Sequence, residues 1–204
     1  MPERPKWASD LLALASDDVI PHRARRIIAE VLIELGRLED AVFVLLAIVR
    51  GKGEGNIRTV RLEAIETLGK LGRIGELITI ARDEQVVNQA RYEAIDELGR
   101  LGRREELLSL AGDEQVKPAV RQRAAEMLGK LGWGDEALPI MVALLSRGQL
   151  KGLTLIKAVV ALGWIGDIYT LPYLERIASD DSDKEAQKAA KKSIEKIRKR
   201  IGMQ

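Results

Sequence analysis

The chain of 204 residues contains no cysteine and only one histidine, His22. Without cysteine there can be no disulfide, no thiolate metal site and no cysteine nucleophile. A single histidine also gives little basis for a metal centre or a catalytic His–acid set, so a surface or helix-capping role is expected for His22. We therefore predict no catalytic residues, no metal and no cofactor, and we expect that the protein is not an enzyme.

Aromatic residues, long apolar runs and excess charge of one sign are scarce as well. Aromatic residues make up 3% of the chain, so leucine, isoleucine, valine and alanine must fill the core. No apolar run is long enough to cross a bilayer. The first residues are not followed by the apolar segment of a signal peptide. Both observations predict a cytoplasmic protein without membrane contact. The balance of 33 basic and 31 acidic residues argues against a dedicated nucleic-acid binder. Abundant charge with little asparagine favours a thermostable protein.

What the sequence does contain is an internal repeat. Residues 61–80 (RLEAIETLGKLGRIGELITI) and 91–110 (RYEAIDELGRLGRREELLSL) are identical at eleven of twenty positions, and residues 121–140 continue the pattern. The glycine that closes the LG-x-LG phrase at 72, 102 and 132 has matches at Gly36 in IELGRL and at Gly166 in ALGWIG, which gives spacings of 36, 30, 30 and 34 residues. These glycines are Gly36, Gly72, Gly102, Gly132 and Gly166. Such a period is the signature of a stacked repeat architecture.

Each repeat is predicted to contain two helices. In one of them Ala90, Ala94, Leu98 and Leu101 have the spacing of an amphipathic helix, which Gly102 ends by taking a left-handed conformation. A shorter second helix follows. A glycine also recurs inside the first helix, at positions 69, 99, 129 and 163, and this predicts the close approach of a neighbouring helix.

The sequence thus predicts an all-α fold, an α-α superhelix of about five to six two-helix repeats in a single domain over residues 1–204. A capping helix follows the repeats, with Ser182 as its N-terminal cap in a Ser-x-x-Glu capping box. The predicted boundaries are a half-unit at 8–19, repeats at 20–55, 56–85, 86–115, 116–149 and 150–181, and the capping helix at 182–201.

These residues resemble the HEAT-like repeats, in particular the short type named after phycobilisome lyases. The consensus sequence of that family is roughly D-x-x-V-R-x-x-A-x-x-A-L-G-x-L-G. Its residues are matched here at Asp113, Val120, Arg121, Ala124, Leu128, Gly129, Leu131 and Gly132. The resemblance implies stacked helix pairs with the arginine-bearing helices lining a concave side. It also implies a role as a scaffold, or as a sensor segment of a larger bacterial signalling protein. It implies little about a particular activity.

Two charge patterns follow the repeat. Arg25, Arg61, Arg91 and Arg121 occupy one column and are expected to hydrogen bond to the preceding turn, with Asp83 and Asp113 as partners. A functional alternative is a basic stripe that faces an acidic ligand. Acidic and basic side chains four residues apart recur on the first helices, at Glu66 and Lys70, Asp96 and Arg100, and Glu126 and Lys130. They form either a solvated surface or the surface that a partner contacts.

Three aromatic residues complete the set of candidate partner-binding residues, which comprises Glu66, Asp96, Glu126, Arg100, Tyr92, Trp133 and Trp164. Trp164 occupies the column of Lys70, Arg100 and Lys130 and is predicted to lie on a polar face. Trp133 follows a helix-ending glycine. Exposed tryptophan and tyrosine residues are favoured interface anchors, although packing under a loop or against the cap remains an alternative.

The sequence therefore predicts a non-catalytic protein-interaction scaffold or sensor module with a protein partner. The first alternative is nucleic-acid binding through the basic helix at residues 184–201. Others are a self-associating array that stacks through its repeat ends, an engineered structural array, and a chromophore-attachment factor. The glycine-rich loop Gly51–Gly55 precedes a helix that could bind an anion, but it lacks the spacing of a nucleotide-binding loop.

Overall fold

The computed structural model describes residues 5–17, 19–51 and 57–203. These ranges contain twelve α-helices, one 3-10 turn and no β-strand, which confirms the all-α prediction. Neighbouring helices along the chain pack against each other within each unit, as in a helical repeat solenoid. The chain divides into two compact units, Met1–Leu101 and Gly102–Gln204. The glycine-rich loop lies outside the described residues apart from Gly51.

The first unit contains six helices in its described residues. The helices are α1 (Lys6–Ser16), α2 (His22–Glu34), α3 (Leu38–Arg50), α4 (Ile57–Lys70), α5 (Ile74–Arg82) and α6 (Asn88–Arg100). Its largest fully buried apolar side chains are Leu32, Leu45, Ile48, Ile65, Leu68, Leu77, Ile80, Ile95 and Leu98. Aliphatic residues therefore fill the core, as the scarcity of aromatic residues required.

The second unit continues the same alternation and ends in the longest of its helices. It contains α7 (Arg104–Gly112), α8 (Pro118–Lys130), α9 (Gly134–Ser146), α10 (Gly152–Ile165), a 3-10 turn (Ile168–Thr170), α11 (Leu171–Ala178) and α12 (Lys184–Arg200). The last helix packs on both α10 and α11. It has the position predicted for a capping helix.

Glycine ends most of the first helices in the predicted way. In the turn after α4, Gly72 has a φ of +67°, and the N–H of Arg73 donates to the carbonyl of Leu68 at 2.9 Å. This is the hydrogen bond of a Schellman motif, which requires a left-handed residue. Gly36, Gly102 and Gly132 also have positive φ angles.

Gly166 also follows its helix directly, as the C-terminal cap of α10, but it does not have the left-handed conformation of the others. Its φ is −67°, an ordinary extended value. The carbonyls at the end of α10 are instead satisfied by Arg200 of α12, whose guanidinium donates to Trp164 at 2.6 Å, to Gly163 at 3.3 Å and to Gly166 itself. A cation beside the last carbonyls of a helix also interacts favourably with its dipole.

Three of the four glycines predicted at close helix contacts, Gly69, Gly129 and Gly163, do mark such contacts. In the first unit, a Cβ at Gly69 would collide with the side chain of Glu97. In the second unit, a Cβ at Gly129 would lie 3.0 Å from Ile165, and one at Gly163 would lie 2.7 Å from Ser193 Oγ and 3.2 Å from its Cα. At these positions a neighbouring helix leaves no room for a side chain.

The arginine column connects α6 and α8 to the ends of the helices that precede them. Arg91 donates through Nε to the carbonyl of Ala81 at 3.2 Å, and Arg121 donates to that of Ala111 at 3.0 Å. Both side chains are buried. The expected bond to the preceding turn is thus present, but these bonds reach main-chain oxygens at a helix C-terminus, whereas carboxylates had been expected.

The cap of α12 differs by one residue from the prediction. Asp183, and not Ser182, is the N-terminal cap, because its carboxylate accepts from the N–H of Ala186 at 3.0 Å. Ser182 instead donates its own N–H to Asp180 at 2.9 Å. A reciprocal capping box occurs elsewhere in the unit, between Asp167 and Thr170.

Candidate functional site

In the first unit, four of the candidate residues lie on α4 and α6. Glu66 is half-buried on α4, and Tyr92 and Asp96 are half-buried on α6. The guanidinium of Arg100 is 2.5 Å from Glu97 and 3.9 Å from Glu66. Arg100 therefore pairs closely with Glu97 within α6 and also approaches Glu66 of α4, a contact between helices that the sequence did not suggest.

Glu97 was missed by the sequence analysis although it organises this surface. The residue is only 6% exposed, and its carboxylate accepts from Arg100 Nε at 2.6 Å. It reaches this position because Gly69 on α4 leaves space for it. Two features of the sequence could have indicated this role. Gly69 lies inside a helix, and Glu97 is the one acidic residue at a repeat position where the neighbouring repeats have Thr67 and Met127.

In the second unit, the predicted pair between Glu126 and Lys130 on α8 is present at 2.7 Å. Arg123 lies 3.3 Å from the same carboxylate, and Gln122 donates to it at 3.1 Å. Burial alone would raise the pKa of Glu126. The Lys130 hydrogen bond and the charges of Arg123 and Lys130 outweigh burial, so the pKa of this carboxyl is lowered. The carboxylate of Glu126 thus stays ionised, and the positive charges of Lys130 and Arg123 balance it on the surface of α8.

A groove of about 510 Å³ runs between α8 and α10 in the second unit. Its walls are mostly apolar, and charged side chains stand at its edge. The lining residues are Glu126, Gly129, Lys130, Ile156, Lys157, Val160, Ala161, Trp164 and Ile165. The groove brings together two of the predicted candidates, Glu126 and Trp164.

Trp164 is the most distinctive side chain of this groove. It is 66% exposed, which agrees with its predicted place in a polar column. The ammonium of Lys196 on α12 lies 4.0 Å from the centre of the indole ring, a cation–π contact. With Arg200 bonded to its carbonyl, Trp164 has both its ring and its main chain positioned by α12.

Trp133 is not brought into the same place. It precedes α9, is half-buried and does not line the groove. The two tryptophans grouped by the sequence analysis therefore occupy different positions in the second unit.

A second groove, of about 280 Å³, lies between α10 and α12 and shares two residues, Ile156 and Val160, with the first. Three lysines of α12 line it, at positions 188, 192 and 196, together with Glu185. The apolar side chains of α10 therefore form a ridge between two grooves.

Several basic side chains of α12 are used within the unit. Arg200 completes the end of α10, Arg198 is 2.9 Å from Glu175 of α11, and Lys196 stacks on Trp164. Lys184 is 2.6 Å from Asp181, and its hydrogen bond lowers the pKa of that carboxyl. The basic helix thus stabilises its own unit, which weakens the case for a dedicated nucleic-acid surface.

The second helices carry ion pairs between repeats that the sequence analysis also missed. In the first unit Arg50 is 3.2 Å from Asp83, and Arg73 pairs with Glu39. In the second unit Arg104 pairs with Glu136, whose pKa is lowered chiefly by that hydrogen bond. The sequence indicated these ion pairs through residues of opposite charge that lie about one repeat apart.

Chemistry-bearing groups are not gathered elsewhere in the described ranges. Among residues 5–17, 19–51 and 57–203, no cluster of three or more histidine, aspartate or glutamate side chains could hold a metal ion. His22 packs against Gly51 in the first unit. None of the helices in these ranges is long and apolar enough to span a bilayer.

The comparison with protein families agrees with this architecture. Residues 74–151 match the family model described as HEAT repeats. The match over residues 74–151 and the packed helix pairs together support a HEAT-like repeat protein. HEAT repeats generally mediate protein–protein interactions as scaffolds and are typically non-catalytic. No curated protein matches the chain.

Proposed function

We propose that this protein is a non-catalytic protein-binding module, and that the surface of its first helices contacts the partner. The observation that carries the proposal is Trp164, a large aromatic side chain that is 66% exposed above an apolar groove. Desolvated tryptophans are among the residues that contribute most to binding at protein interfaces. The general role of HEAT repeats supports the same conclusion.

The other candidate residues extend this surface within each unit. Glu66, Asp96, Arg100 and Tyr92 belong to α4 and α6, and Glu126 belongs to α8. The second helices are less suited to a partner, because inter-repeat ion pairs already occupy their charged side chains. Trp133, a half-buried residue at the start of α9, lies on a second helix and stays a prediction apart from this surface.

The test is capture of a partner from the lysate of the source organism, read by mass spectrometry. The full chain is compared with a triple charge reversal, Glu66→Lys/Asp96→Lys/Glu126→Lys, and with Trp164→Lys. We expect a protein that wild type retains and that Trp164→Lys loses. Because lysine occupies the equivalent position in other repeats, at Lys70 and Lys130, Trp164→Lys is expected to fold.

Trp7→Lys is the matched control, since Trp7 is also a partly exposed tryptophan, at 43%, but lies on α1. A partner that both tryptophan variants and the triple reversal still retain would contradict the proposed surface. Loss in the triple reversal alone would move the binding surface from Trp164 to the acidic side chains.

Nucleic-acid binding through α12 is the second candidate, because α12 carries a strong excess of basic over acidic side chains. The proposal also includes a cytoplasmic, thermostable protein that acts as a scaffold or as a sensor segment in signalling. Self-association through repeat ends and an engineered origin remain alternatives to it. Duplex DNA binding that weakens steeply with salt would favour the nucleic-acid alternative.

A further inference from the structure

The outer surface of α10 differs from that of α8 in the same unit. A shift of 34 residues aligns Gly129 with Gly163, and it aligns the ion pair Glu126–Lys130 with Val160 and Trp164. Val160 is 41% exposed and Trp164 is 66% exposed. At the place where α8 has a neutralised ion pair, α10 therefore has an uncovered apolar surface.

This apolar surface continues along α10 for three helical turns. Leu153, Ile156, Val160 and Trp164 follow one another at spacings of three and four residues, which places them on one face of the helix. Leu153 is 67% exposed. We call these four residues the α10 ridge. It spans about 16 Å along the helix axis, which is the length of about three turns of a second helix.

Lysines surround the ridge on both sides. Lys130 and Lys157 line the groove toward α8, and the lysines at positions 188, 192 and 196 line the groove toward α12. The two grooves contain only two carboxylates, Glu126 and Glu185, and Glu126 is already paired with Lys130 and Arg123. The ridge is thus an apolar strip with a positively charged border.

We propose that the α10 ridge binds an acidic amphipathic helix of a partner protein. Apolar side chains of that helix, about three or four residues apart, would occupy the grooves beside Val160 and Trp164. Its glutamate and aspartate side chains would meet the surrounding lysines, including Lys196 above the indole ring of Trp164. This inference rests on the proposed function and adds the chemistry of the partner and the helix that binds it.

Charge and surface type favour this occupant over two others. A second copy that docked through the same surface would bring two sets of lysines together, which is unfavourable. A nucleic acid would satisfy the lysines and could stack a base on Trp164, but Leu153, Ile156 and Val160 would remain without an apolar partner. An acidic amphipathic helix matches both the apolar strip and its charged border.

The test uses the full chain and three fluorescent peptides of about 16 residues, a length chosen to cover the ridge. All three carry leucines at the same helical spacing, and their remaining positions are glutamate, lysine or glutamine. Binding is followed by fluorescence anisotropy. We expect the glutamate peptide to bind most tightly and its affinity to fall as salt is added.

Two variants separate the apolar contribution from the charged one. Val160→Glu/Trp164→Lys gives α10 the ion pair of α8 and is expected to weaken binding of the glutamate peptide by about tenfold or more. Lys188→Gln/Lys192→Gln/Lys196→Gln is expected to remove the preference for the glutamate peptide over the glutamine peptide. The matched control is Leu14→Glu/Trp7→Lys, which makes similar changes at exposed apolar positions of α1 and should bind like wild type.

Each other outcome contradicts the proposal in a distinct way. Equal binding of the three peptides, or full binding by Val160→Glu/Trp164→Lys, overturns it. A DNA duplex bound through the α12 lysines, with no peptide bound, assigns the surface to nucleic acid. Dimerisation that Val160→Glu/Trp164→Lys abolishes, with no peptide bound, assigns the ridge to a second copy.

The failure of this inference can be distinguished from failure of the proposed function. If none of the peptides binds but Trp164→Lys still loses a captured partner, the protein-binding function stands and the partner has a different chemistry. If none of the peptides binds and the lysate experiment retains the same proteins on wild type and on the variants, both proposals are wrong.

Discussion

Two helices of the second unit, α8 and α10, have equivalent places in successive repeats but differ at three informative positions. The buried Arg121 of α8 corresponds to Leu155 of α10, and the ion pair Glu126–Lys130 corresponds to Val160 and Trp164. The main chain adapts to these changes. At the end of α7, before α8, the carbonyl of Ala111 accepts a hydrogen bond from Arg121. After α9, before α10, the chain turns at Gly148, which has a φ of +62°.

This comparison distinguishes the residues that every repeat needs for packing from the surface residues that are particular to one repeat. Alanine, leucine and glycine at the inward positions recur because they keep the helices packed. The outward positions are free of that requirement, so a departure from the repeat pattern there is informative about binding. Trp164 is such a departure, and it coincides with the largest change in surface character between the two helices.

The first way to break the comparison is to remove the arginine of α8. We expect Arg121→Met to lower the free energy of unfolding by about 1.5–3 kcal/mol, because a buried carbonyl at Ala111 loses a charged donor. The methionine retains most of the apolar stem. Chemical denaturation monitored by circular dichroism measures the change.

Leu155→Met at the equivalent position of α10 is the control, and its cost should stay below about 1.5 kcal/mol. Equal losses in the two variants would show that Arg121 contributes through packing alone. The hydrogen bond to Ala111 would then have no measurable effect on stability.

The second test compares the helical glycines of α8 and α10. Gly163→Ala places a Cβ against the main chain of Ser193, which cannot move independently of its helix. Gly129→Ala meets only the side chain of Ile165, which can change rotamer. We therefore expect Gly163→Ala to be less stable than Gly129→Ala by about 1–2 kcal/mol in thermal or chemical unfolding.

Gly112→Ala supplies the baseline, because Gly112 lies at the end of α7 with open space around it. Alanine should raise stability there by up to about 1 kcal/mol through helix propensity. If Gly163→Ala were as stable as Gly112→Ala, the close approach of α12 to α10 would be wrong.

The smallest expected effect concerns Glu126, which has no ionisable counterpart in α10. Since the pKa of Glu126 is lowered in the folded state, its contribution to stability is present above the ordinary value of 4.5 and disappears as the pH falls through the lowered pKa. We expect Glu126→Gln to reduce stability by up to about 1 kcal/mol near neutral pH.

Unfolding of wild type and Glu126→Gln over a series of pH values measures this difference. The two stability curves should converge as the solution becomes more acidic than pH 4.5. Curves that stay parallel through this range would mean that the contacts with Lys130 and Arg123 do not favour the charged form.

Much of the fold could be predicted from the sequence because the repeat fixes the phase of the helices. Comparison of repeats also placed Trp164 in a polar column and placed glycines at close helix contacts, since such positions are constrained by local geometry. A period of about 30 residues carries this information without any knowledge of long-range packing.

The remainder depends on contacts between residues distant in sequence. The hydrogen bonds of Arg200 to the end of α10 span more than one repeat, and the position of Glu97 depends on a glycine of another helix. The cap at Asp183 was missed because two adjacent residues can both cap a helix, and only the geometry of the preceding turn decides between them. The groove likewise depends on the spacing of two helices, which sequence periodicity does not determine.

The arginine column also has a consequence for how such a chain can be cut, extended or recombined. Arg91 joins α6 to α5, and Arg121 joins α8 to α7, so the helices bound to each other belong to successive sequence repeats. Each such arginine-joined helix pair is an element offset by one helix from the repeat read in the sequence. The boundary between the two compact units, at Leu101 and Gly102, falls between such elements and leaves each arginine with its acceptor. Gene rearrangements that break the chain at the glycine turns would preserve these elements, whereas breaks at the sequence-repeat boundaries would separate a helix from the residue that completes its end.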